Sequence, residues 1–379
     1  MKNKGILILT PFFSPNIGGV ETHFDDLIMA LDRRGYFVYV KTYSPITTSG
    51  VIWKAYEKLG NNIFIQRYRW FGKNLFHKLE KFPLFDFLYI TPYLFVRTFI
   101  WLLFNKEKID VIHAQGFNAA WMGVIFKKLF KKRLIVSTHA IYEIDKNSKT
   151  AKRIISILNN ADKVLMLSRG SYDELTSFGL DKEKVDLYKY WINLEKFKPL
   201  NKIDLRKELN IKNNFTVLFV GRLIEKKGIR ILIDVAKKIS DINFIFIGNG
   251  PEESFLKSRE KEMNNVRFIG AVPNSELYKY YNIADIFCIP SQYEEGFGRV
   301  VIEAVACGLP VVGSNKGGIP EALDETVSIL IDPNVDNITQ AISELYNHKE
   351  KYLKLANNTR SYAEKNFSEE NINLITKYY

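Results

Sequence analysis

The feature that most limits the fold is an alternation that runs, lapses and restarts. Residues 4–10 (KGILILT) form an apolar run of the length of one buried strand. A loop with Gly18 and Gly19 follows. Then comes a stretch over 21–34 where Phe24, Leu27, Ile28 and Leu31 recur at helical spacing, with Gly35 as a stop. Residues 36–42 read as the next strand. Such a β-loop-α-β unit demands a parallel sheet with helical crossovers. Further strands are expected at 109–113, 134–138 and 161–168. The pattern lapses over 190–200 (YWINLEKFKPL), which has no periodicity and ends in proline. It resumes with strands expected at 215–220, 243–247, 266–269, 286–289 and 311–313. The chain is therefore expected to be α/β with two doubly wound, Rossmann-like domains. They span 1–190 and 201–357, with a linker over 191–200. A C-terminal helix over 358–379 is expected to pack back on the first domain. A length of 379 residues with 46% hydrophobic content suffices for two cores.

Charge divides the same way. Residues 1–190 hold 29 Lys and Arg against 17 Asp and Glu, so they carry the whole excess of +12; the rest is balanced. A basic half implies an anionic partner: nucleic acid, an acidic membrane surface or an anionic substrate. Nucleic acid is not expected, because the aromatic spacing matches no recognition module. Residues 51–108 are rich in aromatic and basic side chains, among them Trp53, Tyr56, Arg67, Tyr68, Arg69, Trp70, Phe71, Lys73, Phe76, Lys78 and Lys81. Residues 84–104 (LFDFLYITPYLFVRTFIWLLF) are long enough to tempt a transmembrane assignment, but Asp86, Pro92 and Arg97 interrupt them. A core helix and a helix dipped into the membrane interface are the other two readings. Residues 121–133 (WMGVIFKKLFKKR) read as a basic amphipathic helix, either a solvated cationic face or a membrane-docking one. The first apolar run lacks a leader's cleavage pattern, and Cys288 and Cys307 sit in apolar segments without metal spacing. A reduced, cytoplasmic protein is expected, peripheral on the inner face of the cell membrane if it touches lipid.

The chemistry concentrates in residues 290–304 (PSQYEEGFGRVVIEA). Glu295 and Glu303 flank Gly296-Phe297-Gly298, and the apolar run that follows reads as a short helix closed by Gly308 and Pro310. A helix start offers unpaired amides and partial positive charge to a phosphate, and glycine lets the anion approach the backbone. Two helical glutamates eight apart would be roughly 12 Å distant, beyond the spacing of a glycosidase pair. That span suits a ligand with hydroxyls at both ends and phosphate between, as in a nucleotide sugar. The plainer alternative is a surface Glu and a helix-face Glu beside a turn. Arg222 and Lys227, in a loop after a strand, can neutralise a diphosphate. No Asp-x-Asp is present to hold a metal on it, so no metal is expected. Gly248-Asn249-Gly250 is only a weak dinucleotide signal, because Pro251-Glu252-Glu253 breaks the pattern. His113 and His139 end expected strands, where ligands gather in open α/β sheets; otherwise they are hydrogen-bonded core residues.

Taken in order, SPNIGGVE, VGRLIEKKG, GNGP, RFIGAV, ADIFCIPS, EEGFGRVVIEA and CGLPVVGSNKGGIPE resemble the retaining glycosyltransferases of family 4. That family has the GT-B architecture, two Rossmann-like domains facing across a cleft. The resemblance implies a retaining, metal-independent hexosyltransferase. Its donor would be a UDP- or GDP-linked sugar, and no cofactor is implied. Glu303 would bind the ribose hydroxyls. Glu295 would contact the transferred sugar, helped by backbone amides of Phe297, Gly298 and Arg299. Arg222 and Lys227 would hold the diphosphate. Residues 268–271, with Phe268 and Gly270, would line the base pocket, and Gly18 and Gly19 would approach the donor. A lipid-linked or membrane-surface glycan is the expected acceptor; a sugar phosphate or small molecule is the alternative. Two departures stand out. The family's His-x-His is here His113-Ala114-Gln115, so the sugar contact is divided among His113, Gln115 and His139. The linker's usual Asn-Gly-Val-Asp is here Tyr190-Trp191-Ile192-Asn193.

Overall fold

In the computed structural model, residues 4–48, 50–72, 75–79, 82–139 and 144–379 are described. Lys73 and Lys81 of the aromatic–basic segment lie outside them. The chain divides into two units: residues 1–191 with 369–379, and residues 192–368.

The first unit is built on eight strands: Gly5–Leu9 (β1), Phe37–Tyr43 (β2), Tyr56–Leu59 (β3), Ile63–Tyr68 (β4), Val111–Gln115 (β5), Arg133–Thr138 (β6), Lys163–Met166 (β7) and Val185–Leu187 (β8). Their order is β3-β4-β2-β1-β5-β6-β7-β8, parallel throughout except for the β3–β4 hairpin. β1 is central because all five of its residues are buried, and it pairs with β2 on one side and β5 on the other. The second unit carries Thr216–Val220 (β9), Asn243–Ile247 (β10), Val266–Gly270 (β11), Ile286–Ile289 (β12), Val311–Ser314 (β13) and Ser328–Ile331 (β14). They form a parallel sheet in the order β11-β10-β9-β12-β13-β14, whose reversal beside β9 marks a switch point.

Several expectations change. The strand expected at 109–113 runs instead from Val111 to Gln115. Asp110 stays outside it because its carboxylate accepts the Gly5 amide at 2.8 Å. Gly19 is not in a loop; it is the first residue of the helix Gly19–Arg33. β3, β4, β8 and β14 are additions to the expected strands. Basic and aromatic residues hide β4 in the sequence, yet Arg67 is buried, bonded to the Ser14 and Lys54 carbonyls and paired with Glu57. That cation is therefore structural and unavailable to a surface. Lys127 of the helix Gly116–Phe130 is likewise paired, with Asp162 at 2.6 Å. The C-terminal segment is not one helix. The helix Lys349–Asn366 belongs to the second unit, and only 369–379 belongs to the first, anchored by Arg33 and Arg34 on Glu369. Residues 192–200 of the expected linker group with the second unit.

Residues 84–104 form two helices, Pro83–Ile90 and Pro92–Asn105, because Pro92 has no amide to continue the first. The span Pro83–Lys108 is long and apolar enough to cross a membrane by length and composition alone, and 33% of its apolar 18-residue stretch is buried. Tyr89, Ile90, Leu94 and Leu102 face the core, whereas Phe85, Leu88, Ile100 and Phe104 are exposed, Phe104 at 82%.

Candidate functional site

The second unit gathers its expected donor residues at the C-terminal ends of β9, β11 and β12. After β9 the chain turns through Gly221–Leu223, and the GNGP turn after β10 clamps it there. The Leu223 amide donates to Asn249 O at 2.8 Å, and a Cβ on Gly248 would lie 1.8 Å from Gly221 O. The glycines thus serve close backbone approach between two loops. The clamped loop presents Arg222, which is exposed and has no carboxylate partner among the described residues. A single 3-10 turn, Glu225–Lys227, then carries Lys227 inward. Gly228 is left-handed, with φ 74, and a Cβ there would also meet Pro290 O at 2.1 Å.

Lys227 is 9% exposed and donates to Glu295 Oε1 at 2.6 Å. The Ser291 hydroxyl donates to the same oxygen. Glu295 Oε2 has no hydrogen-bond partner among the described residues. Burial pulls the Lys227 ammonium down, but Glu295 and Tyr293 beside it outweigh that and raise it, so it stays cationic. Glu295 sits in the loop ahead of the helix, so a helical spacing to Glu303 does not apply. Its backbone is fixed by the Gly317-Gly318 pair. Gly318 N–H donates to Glu295 O at 2.6 Å, and a Cβ on Gly317 would lie 2.4 Å from Glu295 N and O.

Gly298, left-handed at φ 72, opens the helix Arg299–Ala306 with no side-chain cap, which leaves its amide end to an external anion. Glu303, on that helix, is buried. It accepts from Arg299 Nε at 3.1 Å and Asn274 Nδ2 at 3.5 Å on Oε1, and from the Tyr281 hydroxyl at 2.9 Å on Oε2. Phe268 lies half-buried on β11. Gly270 ends that strand in a left-handed conformation with open space where a Cβ would be. The arrangement can hold a diphosphate between two cations and an amide-rich helix end, with one carboxylate on either side.

The first unit carries its candidates separately. Gly18 caps the helix Gly19–Arg33. His113 lies mid-strand and fully buried, not at the strand end where it is expected. Its Nδ1 is 2.6 Å from the Tyr379 hydroxyl and its Nε2 2.7 Å from Ser137 Oγ, so neither nitrogen is left for a sugar. Burial, then His139, lowers it to about 3, and it is neutral. Gln115 is the residue at the strand end. Its Oε1 accepts from His139 Nε2 at 2.9 Å, while its buried Nε2 has no partner among the described residues. His139 Nδ1 lies 2.9 Å from the Tyr188 hydroxyl and 3.1 Å from the Tyr190 hydroxyl. Sequence reasoning missed Tyr281, Ser291 and Tyr293. Only Ser291 and Tyr293 could have been suspected, from their place in the strand-end loop.

Two Rossmann-like units, each a parallel sheet flanked by helices, are the architecture of the GT-B glycosyltransferases. Residues 17–196 match the family model described as Glycosyltransferase Family 4, and residues 201–362 match Glycosyl transferases group 1. The chain is a GT-B glycosyltransferase that matches the Family 4 model over its first half, and it transfers a sugar from a nucleotide-sugar donor. It is 25% identical over 355 residues to a human phosphatidylinositol N-acetylglucosaminyltransferase chain, covering 90% of this chain and 68% of the relative. It is 27% identical over 301 residues to spore coat protein SA of Bacillus subtilis, covering 72% and 79%. Among solved structures it is similar to sucrose-phosphate synthase from Thermosynechococcus elongatus, with TM-score 0.80, 23% identity, and 99% and 98% of the two chains covered.

Proposed function

We propose that the chain is a retaining, metal-independent hexosyltransferase that takes its sugar from a UDP- or GDP-linked donor. One observation carries the reading. Arg222 has no carboxylate partner among the described residues and Lys227 stays cationic, and both lie near Tyr293 in the loop that leads into the uncapped helix Arg299–Ala306. Charge builds up on the departing diphosphate when a sugar–phosphate bond breaks, and fixed cations and amides stabilise it there. These groups stand in for a metal. Retention is what the likeness to family 4 implies; the ion pairing of Glu295 ties one oxygen to Lys227 and leaves the other to orient a sugar hydroxyl. In this reading Glu295, Arg222 and Lys227 are the catalytic groups. Glu303, Phe268, Gly270, Phe297, Gly298 and Arg299 bind the donor. Gly18, Gly19, Gln115 and His139 are the first unit's candidates for contact with the sugar.

One reading of the acceptor is a lipid-linked or membrane-surface glycan, with a cytoplasmic, peripheral enzyme. The name of the human relative, which points to phosphatidylinositol, supports this, as does the exposed apolar face of the helices Pro83–Ile90 and Pro92–Asn105. A soluble sugar phosphate or small molecule is the other reading, and the comparisons support it better. It is supported by the names of similar solved structures, sucrose-phosphate synthase and trehalose-6-phosphate synthase. Labelled UDP- and GDP-sugars offered with chelator, in parallel to a membrane lipid extract and to sugar phosphates, test all of this. A labelled lipid with retained anomeric configuration supports the first reading. Label only in a sugar phosphate selects the second, and no transfer without metal rejects the metal-independent site.

A further inference from the structure

A second feature of the first unit has no part in donor binding. Lys41, on β2, is 3% exposed and ion-paired to no carboxylate among the described residues. Its ammonium donates to Gln66 Oε1 and lies 3.7 Å from the centre of the Trp101 ring. Gln66 and Trp101 are also walls of a cavity of about 260 Å3 between β4 and the helix Pro92–Asn105. Arg97 lines the same cavity, with its guanidinium 5.0 Å from the Tyr68 ring and no carboxylate partner among the described residues. A buried ammonium without a counter-ion is costly, and a second cation nearby adds to the cost. Burial first, then Arg97 and Lys108, hold Lys41 down to about 7. Both cations would gain from an anion in the cavity.

The mouth of the cavity is apolar. Ile100 and Phe104 line it and are exposed, and Val96 and Leu103 extend the same helix face at spacings of three and four residues. The volume is below the roughly 300–1,000 Å3 of a site that swallows a drug-sized ligand. It suits a headgroup whose chains lie outside, along the apolar face. We propose that this cavity binds the anionic headgroup of a membrane phospholipid. Arg97 takes the phosphate, Lys41 adds its charge from behind the Gln66 and Trp101 wall, and the Ile100–Phe104 face takes the acyl chains. This deepens the membrane reading of the acceptor by naming the lipid that seats the protein.

The test measures binding without donor or acceptor, so it can fail while lipid glycosylation stands, and the reverse. The full chain is titrated with vesicles of phosphatidylcholine, alone or mixed with phosphatidylglycerol whose chains are brominated to quench tryptophan. Saturable quenching by the anionic vesicles is expected, reduced in Trp101→Phe. Arg97→Gln should weaken binding about fivefold, the effect of one basic residue at an anionic surface. Lys212→Gln, an equal loss of charge in the second unit, should not. Lys41→Met is a further variant, scored only if its melting temperature is retained; Arg97→Gln, on an exposed position, carries the test if it is not. Equal quenching by phosphatidylcholine alone, equal weakening by Lys212→Gln, or full displacement by inorganic phosphate would each overturn the proposal.

Discussion

Removing the Glu295 carboxylate should expose how the donor site is held before the donor arrives. Lys227 is 9% exposed and Glu295 5%, with 2.6 Å between the charged atoms. Breaking such a buried pair from one side costs about 3–5 kcal/mol, because the remaining charge stays buried without its partner. Glu295→Gln and Lys227→Met should each lose about that much. The double variant should lose far less than their sum, because no lone charge is left. For a unit of residues 192–368, the single losses correspond to melting shifts of roughly 6–20 °C. A nucleoside diphosphate brings negative charge to the same ammonium. It should therefore stabilise Glu295→Gln by more degrees than it stabilises the parent protein, although transfer is lost. Thermal melts of the four proteins, with and without UDP and GDP, read both effects. Additive single losses, or equal nucleotide shifts in parent and Glu295→Gln, would refute the claim that Lys227 waits on Glu295 for a diphosphate.

Three further outcomes follow from the same geometry. Arg222→Ala, at an exposed position, should leave the melting temperature unchanged while kcat/KM for the donor falls about 10²–10³-fold, the loss expected for one charge-stabilising group. His113 is neutral in the folded chain down to about pH 3, whereas the unfolded ring takes its proton near its ordinary 6.5. The unfolded chain therefore binds more protons between those values, so stability is complete above about pH 6.5 and lost as pH falls. The His113 share of the loss reaches about 2 kcal/mol at pH 5. His139, lowered likewise to about 3 by burial, adds its own share, so in denaturant melts His113→Gln should lose about 2 kcal/mol less than the parent rather than nothing. Gly317→Ala would drive a Cβ to 2.4 Å from the Glu295 backbone; transfer should collapse while Arg222-dependent nucleotide binding, measured calorimetrically, persists in part.

Much of this is legible in the residues, and the failures have physical causes. Glu295, Arg222 and Lys227 can be picked out because they follow apolar runs with glycines between, and a parallel sheet puts such positions at one edge. The ion pair itself cannot, because its partners lie 68 residues apart. The sequence misplaces His113 at a strand end because the apolar residues around Asp110 do not fix a register. The register is set by Asp110 capturing the Gly5 amide, a contact across two strands, and it moves the strand end to Gln115. The GNGP turn offers a dinucleotide signal. Its glycines are needed because the Gly221 and Leu223 carbonyls press on them, a non-local contact no local pattern encodes. β4 is obscured by Arg67, a cation whose burial depends on Glu57 and two carbonyls brought from elsewhere.

The two carboxylates are not equally ready for a ligand, and the difference makes a last prediction. Glu295 keeps Oε2 without a partner among the described residues. Glu303 already spends Oε1 on Arg299 and Asn274 and has one donor, Tyr281, on Oε2. A carboxylate has about four acceptor positions. If Glu303 takes both ribose hydroxyls, one enters the remaining position on Oε2. The other displaces the longest existing bond, that from Asn274 at 3.5 Å. Removing the Tyr281 hydroxyl alters this exchange. In Tyr281→Phe, Oε2 loses that donor, which should cost the free protein about 1–3 kcal/mol. A ribose hydroxyl then repairs the loss, so UDP or GDP should raise the melting temperature of Tyr281→Phe more than that of the parent. The 2′,3′-dideoxy nucleotide, which keeps the diphosphate and lacks the hydroxyls, should show no such excess. Identical shifts from ribo- and dideoxynucleotides in both proteins would mean that Glu303 serves only to hold Arg299 and Tyr281, and that the ribose is bound elsewhere.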